Sequence, residues 1–266
     1  MHTTAYRYPH ELLILTITLL LVFAAIALTV TATVCTSLIF ILGFISLSFY
    51  LTWSHHRSLI NTAMLLSQQQ NPPLSRLVRV ASERLRPGNI KVYITSSRSL
   101  NAYTFGLSSP KVIVLYSSLF QVMDSDELLF ILGHEMGHIA LGHTWLNSLV
   151  GGMAGIPSPY AVAAVLSLAF LWWNRACEYS ADRAGLLACG NPNKAISALI
   201  KLEAGSKVST QQDMELAYRR IDAEDDAIFN NLSETLGTHP MLIKRINQIR
   251  SYAASSQYKR LSSQLS

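Results

Sequence analysis

Hydrophobic and polar positions are segregated into blocks along this chain. No Lys, Arg, Asp or Glu occurs in the 45 positions between Glu11 and Arg57. A bilayer crossing takes about 20 mostly apolar residues, and the 42-residue run from Leu12 to Trp53 is long enough for two. The pattern predicts an N-terminal transmembrane helical hairpin within residues 1–54, with its turn near Thr29 to Ser37, where Thr, Ala, Val and Ser lower the hydropathy. A single helix over the whole run would reach roughly 60 Å, about twice the hydrocarbon thickness. A cleaved leader fits poorly, because its apolar core would be only about 7–15 residues.

Beyond residue 55 the pattern changes. Ile90–Thr95, Asn101–Phe105 and Lys111–Tyr116 read as three short strands joined by Ser- and Gly-rich turns. Leu128, Leu129, Ile131 and Leu132 form the buried face of a helix whose start carries a capping-box pattern, Asp124 to Glu127. A second apolar region, residues 145–173, is broken by Gly151, Gly152, Gly155, Pro157 and Pro159 into halves too short for an ordinary span. Two short helices dipping into the bilayer, lying on it, or crossing it as a hairpin all satisfy that pattern. The polar, Ser-rich segment 251–266 predicts a frayed tail. The expected fold is mainly α with a small antiparallel β-sheet, in a domain spanning 55–250 behind the N-terminal hairpin.

Composition narrows the class. Charged residues make up 14% and hydrophobic residues 50%, against roughly 25% charged in an ordinary globular domain. This excludes a disordered chain, a disulfide scaffold and a purely soluble enzyme. The cysteines Cys35, Cys177 and Cys189 form no paired framework. The net charge of +5 resides in one segment: Arg57, Arg76, Arg79, Arg84, Arg86 and Lys91 stand against Glu83 alone. No aromatic interleaving or recognition motif accompanies these residues, so nucleic acid is not an expected partner. Basic residues just past a span stay in the cytoplasm, which puts both the N-terminus and the bulk of the chain on that side. The acidic stretch from Asp213 to Glu234 reads as a solvated helix or cover near the cleft.

The sharpest chemistry is His134-Glu135-Met136-Gly137-His138. Histidines four apart lie about 40° from each other around a helix and can share one Zn²⁺. Glu135 sits beside that metal, where it can take a proton from a zinc-activated water. Forty residues after His138 comes Glu178, with Asp182 one turn later. Glu178 would be the third ligand, leaving a position open for water, and Asp182 would hydrogen-bond a ligating histidine from behind. His143 lies about 140° around the helix from His138 and is set aside on that ground. One Zn²⁺ is the expected cofactor.

HEMGH, an apolar insert, Glu178-Tyr179-Ser180-Ala181-Asp182-Arg183-Ala184-Gly185, then Thr238-His239-Pro240 with Arg245 together resemble the HtpX-type membrane metallopeptidases. These are gluzincin relatives of the Oma-type and CAAX prenyl proteases. The resemblance implies a zincin-like catalytic domain and a zinc-dependent endopeptidase acting on polypeptides in membrane-protein quality control. It implies an active site facing the cytoplasm from the plasma (inner) membrane. By the same resemblance His239 would donate a hydrogen bond to the oxyanion, and Arg245 would brace the site or pair with Asp182. Asn101, Ala102 and Tyr103 would lie on an edge strand that holds substrate by strand addition. Two other readings stay open: a zinc aminopeptidase, which would need an acidic residue for the free amine, and a membrane scaffold that binds zinc without turnover.

Overall fold

The computed structural model describes residues 5–32, 63–106, 109–144, 160–204 and 239–265, with individual positions between 42 and 62. The apolar N-terminal block opens as helix α1, Glu11–Ala32. Strand β1 (Met64–Leu65) and helix α2 (Pro72–Leu85) follow, then strands β2 (Ile90–Thr95), β3 (Ala102–Phe105) and β4 (Lys111–Tyr116). The described residues after β4 form the helices α3 (Leu119–Val122), α4 (Ser125–Ala140), α5 (Tyr160–Cys189), α6 (Pro192–Ala204), α7 (His239–Ala254) and α8 (Ser256–Ser262). The protein is mainly helical, with one small sheet.

That sheet is mixed rather than antiparallel. Its order is β1-β2-β4-β3, with β2 and β4 parallel and β3 antiparallel to β4. The reason lies in β4, where Val112, Ile113, Val114 and Leu115 are consecutive and all buried. A strand apolar on both faces belongs in the middle of a sheet. It inserts between β2 and β3 and leaves β3 at the edge.

Helix α4 is fixed at its start. Asp124 accepts from the backbone of Asp126 and Glu127, both at 3.0 Å, while Glu127 accepts from the Asp124 amide at 2.9 Å. The same Glu127 carboxylate takes Lys201 Nζ at 2.7 Å and Ser197 Oγ at 2.5 Å from α6. The capping box therefore also ties α4 to α6.

Helices α4 and α5 approach closely through small residues. A Cβ built on Gly137 would lie 2.6 Å from Ala184 Cβ and 3.2 Å from Ala181 Cα. One on Gly133 would collide with Ala188 and come within 3.0 Å of Gly185 Cα, and Gly185 in turn lies against the Phe130 ring. These residues recur at turn spacing on both helices, so the two backbones meet along their length.

Two sequence expectations change here, and the N-terminal hairpin is supported in part. Helix α1 ends at Ala32, within the stretch expected to turn, and residues 33–41 lie outside the described residues. Among the described residues, the one helix long and apolar enough to cross a membrane is α1, over Glu11–Leu28. The second half of the apolar insert is not a short separate helix. It is the first part of α5, whose 30 residues run unbroken into the Glu178 motif and extend about 45 Å. No Gly or Pro occurs within that helix before Gly185 to stop it. Finally, the described part of the 251–266 tail is ordered: α7 runs to Ala254, and α8 buries Tyr258 and Leu261 in the main core. Tyr258 and Leu261, three residues apart, lie on one face of this otherwise polar helix.

The first residues are equally integrated. Tyr6 is fully buried in the main core, Gln257 donates to the Ala5 carbonyl at 2.5 Å, and the Arg183 guanidinium lies over the rings of Tyr8 and Tyr252. From there α1 runs along α5, where Ile14 and Val22 pack with Phe170, Trp173 and Cys177.

Gly137→Ala is expected to destabilise the protein by about 1–3 kcal/mol through overpacking, read as a lower Tm in detergent. An unchanged Tm would show that the helices can separate at no cost.

Candidate metal centre

The close approach of α4 and α5 brings two sequence motifs into one cleft. His134 Nε2 and His138 Nε2 are 3.1 Å apart. Glu178 on α5 faces both, with Oε2 3.6 Å from His134 Nε2 and Oε1 3.4 Å from His138 Nε2. Ligand atoms about 2.0–2.2 Å from a tetrahedral metal lie roughly 3.3–3.5 Å from one another. The three side chains thus already stand at the separations such an ion requires.

Their other atoms are engaged in a way that leaves lone pairs facing inward. His134 Nδ1 lies 3.0 Å from Asp182 Oδ1. A carboxylate can only accept, so the proton sits on Nδ1 and Nε2 presents its lone pair. Arg245 from α7 holds Asp182 with two hydrogen bonds, Nε to Oδ2 at 2.8 Å and Nη2 to Oδ1 at 2.7 Å, and its Nη1 reaches Glu178 Oε2 at 3.1 Å. Burial pushes the Asp182 carboxyl up, but Arg245 and His134 outweigh it and keep the group ionised below its ordinary range. Burial also opposes ionisation of Glu178, and Arg245 with the two histidines overrides it to hold that carboxyl well down. Two imidazole nitrogens and an ionised carboxylate converging at these separations fit a divalent cation.

Glu135 is 6% exposed and lines the same cleft. Burial raises its pKa to about 7, with His138, a Thr104 hydrogen bond and Arg245 pulling the other way and Glu178 adding to the rise. The cleft encloses about 290 Å³. Asn101, Ala102 and Tyr103 form its opposite wall with Thr104. Asn101 immediately precedes β3, and Ala102 and Tyr103 open it, pairing on one side with Leu115 and Val114 of β4. The other edge of β3 carries no strand among the described residues. His239 is the first residue of α7, six positions before Arg245; its side chain lies outside the described residues.

Sequence reasoning missed His143 and Glu11. His143 was set aside by projecting it on a continuous helix, but α4 ends at Ala140 and Gly142 turns the chain with φ +80°. His143 Nδ1 therefore returns to 2.9 Å from His138 Nδ1, behind the metal-facing nitrogen, and its Nε2 lies 3.0 Å from Glu11 Oε1. The glycine just past the helix end was the available signal. For Glu11, which served only as the border of the uncharged block, no local pattern existed. The acidic stretch from Asp213 to Glu234 lies outside the described residues.

Two histidines from one helix, a glutamate from the next and a glutamate between the histidines are the side-chain set of a metallopeptidase centre. A model of peptidase family M48 matches residues 68–253, and the chain belongs to that family. It is 30% identical over 216 residues to the plastoglobule-localized metallopeptidase 48, chloroplastic, of Arabidopsis thaliana, covering 76% of this chain and 63% of that protein. The chain thus spans less than two thirds of the plant relative's length. It is also 25% identical to a Protease HtpX homolog of Pseudarthrobacter chlorophenolicus, covering 77% of this chain and 82% of the relative. A third relative, a Protease HtpX homolog of Kineococcus radiotolerans, is 24% identical over 71% of this chain and 76% of its own length. These likenesses place the chain with the HtpX-type members.

Asp182→Asn is expected to weaken metal binding by about 10–100-fold, measured by competition with a chelator. Wild-type affinity in that variant would remove Asp182 from the support of His134.

Proposed function

We propose that this protein is a membrane-anchored zinc-dependent endopeptidase that hydrolyses peptide bonds of membrane or misfolded proteins. The observation that carries the reading is the convergence of His134, His138, Glu178 and Glu135 in one cleft beside the β3 edge. One Zn²⁺ on the first three residues would supply Lewis-acid chemistry, activating water at neutral pH and polarising the scissile carbonyl. The donor set of two imidazoles and one carboxylate suits zinc.

The chain's own residues do the rest. Glu135, beside the ligands and shielded from solvent, takes the proton of the attacking water and delivers it to the leaving amine. His239 at the head of α7 donates to the carbonyl oxygen as negative charge develops there. Arg245 anchors Asp182 and the second oxygen of Glu178, so the ligand does not turn away as charge shifts. Asn101 to Tyr103 hold the substrate backbone by adding it as a strand, which tolerates many sequences because main-chain hydrogen bonds do the holding.

Membrane anchoring rests on α1 and its neighbour. Leu12, Leu13, Leu20, Phe23 and Leu28 are exposed on α1, and Leu168, Leu171 and Trp172 are exposed on the adjoining part of α5. These apolar surfaces lie on two helices packed side by side and would face lipid, which supports substrates in or beside the bilayer. The basic residues from Arg57 onward support a catalytic cleft on the cytoplasmic side, and the likeness to the HtpX-type members supports the plasma (inner) membrane as its site.

Glu135→Gln is expected to keep its zinc and to lower turnover of an unfolded protein substrate by about 10²–10⁴-fold. Full turnover by the zinc-loaded variant would defeat the assignment of the base. Chelation should abolish cleavage of the wild type, and added zinc should restore it. Internal cut sites, mapped by mass spectrometry, are the expected products; stepwise trimming from an N-terminus would identify an aminopeptidase instead.

A further inference from the structure

Behind the metal-facing side of His138 lies a closed polar cluster that the proposed chemistry does not use. It joins the first residue of the apolar helix to the zinc site. His143 and Glu11 are both 1% exposed. The contacts run in series: His138 Nδ1 to His143 Nδ1 at 2.9 Å, then His143 Nε2 to Glu11 Oε1 at 3.0 Å. Arg7 pairs with the same Glu11 oxygen, and Ser180 Oγ donates to the other. Arg7 Nη2 also donates to the Leu141 carbonyl at 3.0 Å, which fastens the turn that carries His143.

Proton placement in this series is determined by its end. Glu11, held by Arg7 and Ser180, is an acceptor, so His143 donates to it from Nε2. A neutral His143 then has a bare Nδ1, which accepts from His138 Nδ1–H. His138 is left with its lone pair on Nε2, toward His134 and Glu178. The cluster is arranged to select one tautomer and one ring orientation for His138, as Asp182 does for His134.

Glu11, His143 and Cys177 also stand close enough to hold a metal of their own. The Arg7 guanidinium on the Glu11 carboxylate argues against that occupant, because a cation already fills the place of one. The His143 ring is also committed on both nitrogens.

We propose that His143 and Glu11 are positioning residues for the zinc ligand His138, and that through them the seating of α1 in the catalytic core sets the affinity of the metal site. The inference rests on the reading of His134, His138 and Glu178 as zinc ligands. It makes the anchor helix a structural partner of the active site as well as a tether.

The test uses the full chain in detergent and two substitutions of matched length. His143→Met has neither a donor nor a strong acceptor; His143→Gln can accept from His138 and donate to Glu11. Zinc affinity is read by chelator competition. His143→Met is expected to lose about 10–100-fold, and His143→Gln to remain within a few-fold of wild type. Equal affinity in wild type and His143→Met overturns the proposal, as does an equal loss in both variants, which would reduce His143 to a packing role. Should His143→Met fail to fold, ¹⁵N spectra of the histidines in the zinc-loaded wild type decide. A proton on His138 Nδ1 and on His143 Nε2 supports the series, and the reverse placement overturns it. A wild type that binds no zinc overturns this proposal together with the metal centre. A selective loss of zinc in His143→Met, in a protein that cleaves no peptide, supports the positioning role and overturns the peptidase reading alone.

Discussion

The near-contact of α4 and α5 is the constraint on which the rest of the structure depends. With Gly133 and Gly137 on one helix and Ala181, Ala184, Gly185 and Ala188 on the other, no side chain holds the backbones apart. A carboxylate has a short reach, and Glu178 can stand about 3.5 Å from two histidines on a neighbouring helix only if the helices touch. Gly137, the fourth residue of the HExxH motif, therefore has a structural task within the motif itself. Dispersion along such a seam is individually small and collectively large, and it aligns the helices in a single register.

Polar groups at this seam are connected rather than scattered. On one side His134, Asp182, Arg245 and Glu178 form a network that draws on α4, α5 and α7. On the other, His138, His143, Glu11 and Arg7 draw on α4, the turn after it and the start of α1. Buried ionised groups persist only when paired, so each network requires its elements to dock together. The polar groups at the centre thereby hold the long apolar helices against the catalytic core.

The legible parts of the fold were those with strong local signals. The three strands, the capping box and the helix that follows are all written in short-range pattern, and the structure forms each of them. Sheet direction was not legible, because it depends on where β4 inserts and not on the strands themselves. The same holds for 251–266, whose polar composition concealed two anchoring side chains, and for the second half of the apolar insert, whose continuity with α5 follows from the absence of a breaker past residue 160. Helical-wheel geometry kept His143 off the metal face, where the structure also leaves it, but could not show its contact with His138, because the helix ends at Ala140.

Sequence alone determined the candidate ligands and base, since HExxH spacing sets His134 and His138 on one helical face and leaves Glu135 beside them. It also determined that the N-terminal block is apolar enough for a bilayer. Only the tertiary structure decided that Glu178 reaches those histidines, that Arg245 fastens Asp182, and that Glu11 lies behind His138 across 127 positions of chain. The physical reason is the range of the forces involved. Backbone periodicity is read from neighbours three or four residues away, whereas the pairing of buried charge is settled by which distant elements pack together, and no local pattern records it.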